Sequence, residues 1–442
     1  MKRHVDQIIA HASELITCSG PSTGVGGSDL LSLNPITDGA VAVAQGKIVD
    51  VGTTVELLAR YDAPDIQDVS GCLVSPSLVD PHTHLVHAGE REQEFDARAT
   101  NRLAGGISTG GIAETVRKTS SAQNAELLAK AEAALDDMLL HGTGLVEAKT
   151  GYGDSMEAEL RLLELTRRLN GRNGVEVVST FLGAHIPPKS DRAAFVEAVI
   201  AAIPRAAKLS DFCDIACDPV CFDFHESDRI AAAAVQHGMQ LRIHADQAGP
   251  WRGLELAAKW RAASADHADY ATADDLRTLA RSGTVVTLLP GSNFHMLEIT
   301  AEIKDGSLVP ATKSHLPLLG TRILQSGCVP AVATNYNPGS SPCLSMQMMM
   351  QLLPRLFRLG SSAAWYMATL NAAASLRCGA RTGSLQPGKA ADIAVWRVPR
   401  HGLVVERFGM NHIRDVWLRG RRVVADGRLM ASTGMQDGRH NG

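Results

Sequence analysis

Histidines stand at or just beyond the ends of several apolar runs in this chain, and that placement points to chemistry more strongly than any single motif. The stretch Leu78-Val79-Asp80-Pro81-His82-Thr83-His84 delivers two of them. An extended strand projects alternate side chains to one face, so the two imidazoles of a His-x-His pair can reach one divalent cation. His185 follows the run Val175 to Leu182, His244 ends Gln240 to His244, and His267 ends Ser264 to His267. Other strand ends deliver Lys149-Thr150-Gly151-Tyr152-Gly153, Asp218 and Thr334-Asn335-Tyr336-Asn337. One histidine at a strand end is ordinarily a hydrogen-bonded structural residue. Five arriving from four strands call for a shared partner, and a metal-dependent hydrolase is the reading they favour.

The elements that must position these residues can be read from the same runs. The strand candidates in the middle of the chain are Leu73 to Val79, Gly144 to Lys149, Val175 to Leu182, Phe212 to Cys217, Gln240 to His244, Ser264 to His267, Val285 to Leu289 and Val329 to Thr334. Helical patterns such as Asn124 to His141 and Glu157 to Leu169 lie between them. This alternation predicts an α/β fold, a closed (β/α)8 TIM-type barrel over residues 76–379 with its chemistry where the strands end. An open doubly wound sheet is disfavoured, because no Gly-x-Gly-x-x-Gly follows the first strand. Both ends of the chain are rich in strand patterns, including a hairpin of Val41 to Ala44 and Lys47 to Val51 around Gln45-Gly46. They predict a small β-sandwich domain built from residues 1–75 and 380–442, with a disordered polar tail at Gln436 to Gly442.

Composition narrows the partners. The chain has 442 residues, 45% hydrophobic and 20% charged, as an ordinary globular protein has. A net charge of −4 gives no general attraction to nucleic acid or to an anionic membrane. No apolar run is long enough to span a bilayer, and the N-terminus lacks a signal-peptide core. The eight cysteines are scattered and suggest no disulfide framework, so a reducing cytoplasm is expected. Cys213, Cys217 and Cys221 lack a Cys-x-x-Cys knuckle and are expected to be structural rather than metal ligands. Met346 and Met348 to Met350 are expected to fill core or interface.

The motifs resemble the amidohydrolase superfamily, whose first barrel strand carries His-x-His and whose fifth and sixth each carry a histidine. Asp80-Pro81-His82-Thr83-His84, Gly151-Tyr152-Gly153, Thr180-Phe181-Leu182-Gly183-Ala184-His185, His244-Ala245-Asp246-Gln247, Ser264-Ala265-Asp266-His267 and Asn337-Pro338-Gly339 are similar to those of its imidazolonepropionases. That family opens a five-membered ring to give N-formimino-glutamate. The resemblance implies that His82, His84, His244 and Asn335 hold one Zn²⁺ or Fe ion. His267 would orient the attacking water and polarise the ring carbonyl. Arg91 would take the propionate carboxylate, Tyr152 and His185 would contact substrate, and Asn337 and Gln247 would be polar groups of the pocket. Barrels of this superfamily often pair, so a homodimer is compatible with it.

Two departures qualify the likeness. Where the family has Thr-Asp-x-Asn-Pro-Gly, this chain has Thr334-Asn335-Tyr336-Asn337-Pro338-Gly339. Asparagine offers a carbonyl oxygen but cannot take a proton, so that task must pass to His267 or His185. Asn335 therefore leaves three readings open: an engineered change that stalls turnover, a natural site with another base or no metal at all, and a binding protein without catalysis. The segment 96–109 lacks the tyrosine that the family places there, which suggests a ring-modified substrate: N-methylated, a hydantoin, or a 2-thioxo analogue that could release sulfide. Ring deamination is the competing activity. Gln247, a neutral amide, argues against it, because it cannot protonate a ring nitrogen.

Overall fold

Parallel strands covered on both faces must be apolar almost throughout, and the runs named above obey that rule. In the computed structural model, which describes residues 1–100, 111–188, 190–299, 302–304 and 307–431, they form one eight-stranded parallel sheet in chain order. Its strands are β1 (Leu78–Asp80), β2 (Thr143–Lys149), β3 (Glu176–Ala184), β4 (Phe212–Cys217), β5 (Gln240–Ala245), β6 (Ser264–His267), β7 (Val285–Leu288) and β8 (Pro330–Val332). Helices alternate with the strands, among them Asn124–Leu140 and Met156–Leu169. The fold is the expected (β/α)8 barrel.

The barrel closes just beyond the last and first strands. Thr83 and Tyr336 form a parallel bridge. The His84 N–H donates to the Tyr336 carbonyl at 2.9 Å and the Asn335 N–H to the His82 carbonyl at 3.0 Å. The Asp80 carboxylate accepts from the Thr334 N–H at 3.1 Å and from its hydroxyl at 2.5 Å. Closure thus uses the backbone of His82, His84 and Asn335, which ties these three residues to one another across the seam.

The run Leu73 to Val79 is two strands, not one. Leu73–Pro76 pairs with Ile393–Trp396 in a second sheet, whereas β1 pairs with β2. The chain crosses at Ser77, whose N–H goes to Asp392, while that of Leu78 goes to Gly142. Pro76 has no N–H to continue the first ladder.

The second sheet has nine strands from both ends of the chain: Gln7–Leu15, Ile36–Ala44, Lys47–Thr53, Asp65–Asp68, Leu73–Pro76, Ile393–Trp396, Ile413–Leu418, Arg421–Ala425 and Arg428–Leu429. Its expected hairpin turns at Gln45 (φ 52°) and Gly46 (φ 72°), the paired left-handed residues that a two-residue turn needs. Trp396 packs edge-on against Trp365, with ring centroids 5.1 Å apart, in a hydrophobic core shared with the barrel. Met346, Met349 and Met350 are buried there too. All eight cysteines are free. Among the described residues no helix is long and apolar enough to cross a membrane. The tail from Gln436 lies outside the described residues, as does most of the 96–109 segment.

Candidate active site

The C-terminal ends of the barrel strands surround a cavity of about 200 Å³. This is below the ~300–1,000 Å³ that takes drug-sized ligands, so the cavity suits a small metabolite. His84, Arg91, Tyr152, His185 and His244 line it, as do Gln247, His267, Asn335 and Asn337. His82 lies beneath, fully buried. Among the described residues no aspartate or glutamate lines it.

The imidazoles form two triads that share His244: His82, His244 and His267, and His84, His185 and His244, with ligand atoms within 4.8 Å of one another in each. Of the four residues assigned to a metal from the sequence, His82, His84 and His244 fall in these triads, His82 and His84 in different ones, and Asn335 lines the same cavity. Burial, and then nearby charges, hold His82, His84 and His267 well below the ordinary histidine range, so their rings are neutral. Neutral imidazole is the form that binds a cation or accepts a proton.

Several buried polar atoms here have no hydrogen-bond partner: His82 Nε2, His84 Nδ1, His244 Nε2, His267 Nδ1 and Asn335 Oδ1. Each such atom left unpaired costs about 1–3 kcal/mol, so five together rival the whole stability of a domain. A divalent cation with imidazole and amide-oxygen donors fits this cluster.

Behind the histidines lies a layer of charge. Asp266 accepts from His82 Nδ1 at 2.7 Å and Asp214 Oδ2 lies 3.0 Å from His244 Nδ1. Such carboxylates turn the other ring nitrogen toward a metal. Arg242 contacts Asp266 at 3.1 Å, and Lys149 contacts Glu147 at 2.9 Å; all these side chains are fully buried. Burial alone would raise Asp266, yet Arg242, His82 and Lys149 hold it well below the carboxylate range. Asp214 is likewise held low, against its burial, by His244 and Lys149. This layer was missed in the sequence, although a charge inside an otherwise apolar barrel strand can only face the interior.

Two loops shape the cavity. Glu159, buried on the helix Met156–Leu169, accepts from the N–H of Gly151 at 2.7 Å and from that of Gly153. Gly151 is required: its φ is +115°, and a Cβ there would stand 2.7 Å from His185 Nδ1. That nitrogen donates to the Gly151 carbonyl at 2.8 Å, leaving Nε2 for the cavity. On the opposite wall, Asn337 spends its amide on its own loop, accepting from Gly339 and Ser340 N–H at 2.8 Å and donating to the Asn335 carbonyl at 2.6 Å. It shapes the wall rather than offering a free donor. A Cβ on Gly339 would stand 1.9 Å from an Arg91 terminal nitrogen, so glycine makes room for the guanidinium. Arg91 also binds Glu94 through Nε at 3.0 Å and Nη2 at 2.6 Å.

Burial pushes the Glu159 carboxyl up to about 7 against the pull of its hydrogen bonds. A carboxyl raised in the folded state gives stability that is full below its unfolded value and is lost as the pH rises through the folded one. Glu159→Gln removes that titration. The stability difference between wild type and variant should shift by about 2–3 kcal/mol in favour of the variant between pH 5 and pH 8, read by urea unfolding.

Known proteins resemble this chain in sequence and in fold. The "Amidohydrolase family" profile matches residues 73–423, and "Imidazolonepropionase-like composite domain, bacteria" matches residues 39–63. The imidazolonepropionase of Brevibacillus brevis is 39% identical, over 95% of this chain and 98% of its own. That of Geobacillus thermodenitrificans is 36% identical, over 95% and 98%. Among solved structures, an adenosine deaminase from Xanthomonas campestris with bound zinc superposes with a TM-score of 0.70 at 17% identity, covering 98% of this chain and 95% of its own. An atrazine chlorohydrolase mutant from Arthrobacter aurescens, complexed with zinc and atraton, gives 0.68 at 16% identity, covering 96% and 97%. The two structures bear on the fold alone.

Proposed function

The chain belongs to the amidohydrolase family and is an imidazolonepropionase-like hydrolase of C–N bonds, and on that premise we propose that it opens the ring of an imidazolone bearing a propionate side chain, giving an N-formimino-glutamate-type product. The observation that carries this reading is that the imidazole cluster, Tyr152 and Arg91 meet around one small cavity in which, among the described residues, no carboxylate takes part in the lining. A cavity of that kind favours an anionic ligand.

Water adds across the ring C–N bond, its oxygen to the carbonyl carbon and a proton to the departing nitrogen. His82, His84, His244 and Asn335 would hold one Zn²⁺ or Fe²⁺, which when bound polarises the carbonyl and acidifies water. His267 is neutral, and its buried Nδ1 has no hydrogen-bond partner among the described residues, so it takes the proton from the attacking water. His185 presents Nε2 to the ring. Burial keeps the Tyr152 phenol protonated, and it donates to the substrate. Gln247 offers an amide where a deaminase would need an acid, which favours ring opening over deamination. Arg91 receives the carboxylate with the edge of its guanidinium beside Gly339. The altered 96–109 segment extends the proposal to ring-modified analogues: N-methyl, hydantoin or 2-thioxo.

Steady-state kinetics on imidazolone propionate, these analogues and a ring without the carboxylate test the reading. Arg91→Ala should raise KM for propionate-bearing rings by about 10- to 100-fold, the worth of a charge-assisted hydrogen bond. It should barely change the carboxylate-free ring, since Glu94 keeps Arg98 at 2.8 Å. Binding of the whole panel without turnover would replace the hydrolase with a ligand-binding relative.

A further inference from the structure

Lys149 ends β2 with its ammonium in the floor of the site, wholly out of solvent. Its nitrogen lies 2.9 Å from both oxygens of Glu147, 3.3 Å from Asp214 and 3.9 Å from Asp266. Those two aspartates stand behind different histidines, Asp214 behind His244 and Asp266 behind His82. Arg242 makes ion pairs with Asp266 and, at 3.9 Å, with Glu147, and not with Asp214. Among the described residues Lys149 is therefore the one cation with ion pairs to both carboxylates.

We propose that Lys149 is a positioning residue that braces Asp214 and Asp266 together and so sets the ring orientation and tautomer of His244 and His82 as a pair. With both aspartates held, each histidine keeps its proton on Nδ1 and turns Nε2 to the cluster, where both Nε2 atoms lack a protein partner. Without the ammonium, three buried carboxylates face only the Arg242 guanidinium. Like charges in that setting repel, and the aspartates swing apart. The two histidines then lose their support together, although neither touches Lys149. The Glu147 contact explains why the ammonium stays in place: it accepts two of the three N–H bonds, while Asp214 and Asp266 stand within ion-pair distance of the same nitrogen.

This inference rests on the reading of His82 and His244 as metal ligands, and the experiment separates the two. Full-length metal-free protein is titrated with Zn²⁺ against a chelator, and histidine tautomers are read by ¹⁵N NMR. Lys149→Met should weaken zinc at least about 10-fold, as lost support behind a ligand does, and should disturb the Nδ1–H tautomer of His82 and His244 together. Lys149→Arg should restore part of both. Asp214→Asn should disturb His244 and leave His82 as it was. In wild type, zinc should shift the Lys149 ammonium resonance, a readout that needs no variant and stands even if Lys149→Met fails to fold. Folded Lys149→Met with unchanged zinc affinity and unchanged tautomers overturns the brace alone, as does a Lys149 resonance that ignores zinc. Wild type that binds no zinc overturns the metal reading with it.

Discussion

His267→Asn should lower kcat by about 10²- to 10⁴-fold, the usual worth of a positioned general base, with KM changed little. Asparagine is the replacement of choice because His267 has φ +74°, a left-handed conformation that asparagine tolerates. The next residue, Ala268, also has positive φ and is tied to Ala245 at 3.0 Å, so the backbone stays where it is. What separates His267 from His82 and His244 is what stands behind the ring. His82 donates to Asp266 and His244 faces Asp214, whereas His267 Nδ1 is buried without a partner. A supported imidazole is built to stay still and ligate; an unsupported neutral one is free to take a proton. Zinc content measured beside kcat discriminates these roles: retained zinc with lost turnover fits a base, and lost zinc fits a ligand.

The strand ends were legible in the sequence for a physical reason. A barrel wall admits only apolar side chains outward, so the change from apolar to polar marks where the chain leaves the wall. That is where His82, His185, His244, His267 and Asn335 stand. Other features left no such mark. The split of Leu73 to Val79 between two sheets is silent because both halves are apolar, and only pairing partners distant in the chain distinguish them. Glu159 sits on a helix with exposed charged neighbours and reads as one more solvated residue, yet it is buried and holds the Tyr152 loop. Asn337 has the right type for a substrate contact, but its amide is consumed by its own turn. Lys149 and Arg242 needed the registers of several strands before their partners could be named.

That charged layer bears on the most unusual residue of the site. The ligand set assigned to the metal is neutral throughout, since residue 335 is an amide. Behind it stand Glu147, Asp214 and Asp266 against Lys149 and Arg242, a surplus of one negative charge within a few ångströms. A cation can therefore be balanced from behind while its open face stays free of negative charge. Such an arrangement favours an anionic ligand over the proton transfer that a carboxylate would serve.

Asn335→Asp should accordingly raise kcat by about 10²-fold or more and tighten zinc. The change is nearly isosteric at a position the fold already fixes. The Asn335 N–H bonds His82, its carbonyl accepts from Asn337, and Thr334 before it is clamped by Asp80. Its φ of +54° suits aspartate as well as asparagine. The new oxygen takes the place of the amide nitrogen, beside an Oδ1 that has no partner, on a residue that lines the histidine cavity. An aspartate there supplies a second base, one that belongs to the ligand set itself, and a negative donor together. The double variant decides between the two gains. If the introduced carboxylate takes over the proton, His267→Asn should cost far less in the Asn335→Asp background than in wild type, because two bases acting on one proton are not additive. If that carboxylate only strengthens the metal site, the His267→Asn loss should persist in full while zinc affinity rises. A single variant with tighter zinc and unaltered kcat would mean that proton removal does not limit turnover, and that His267 is already base enough.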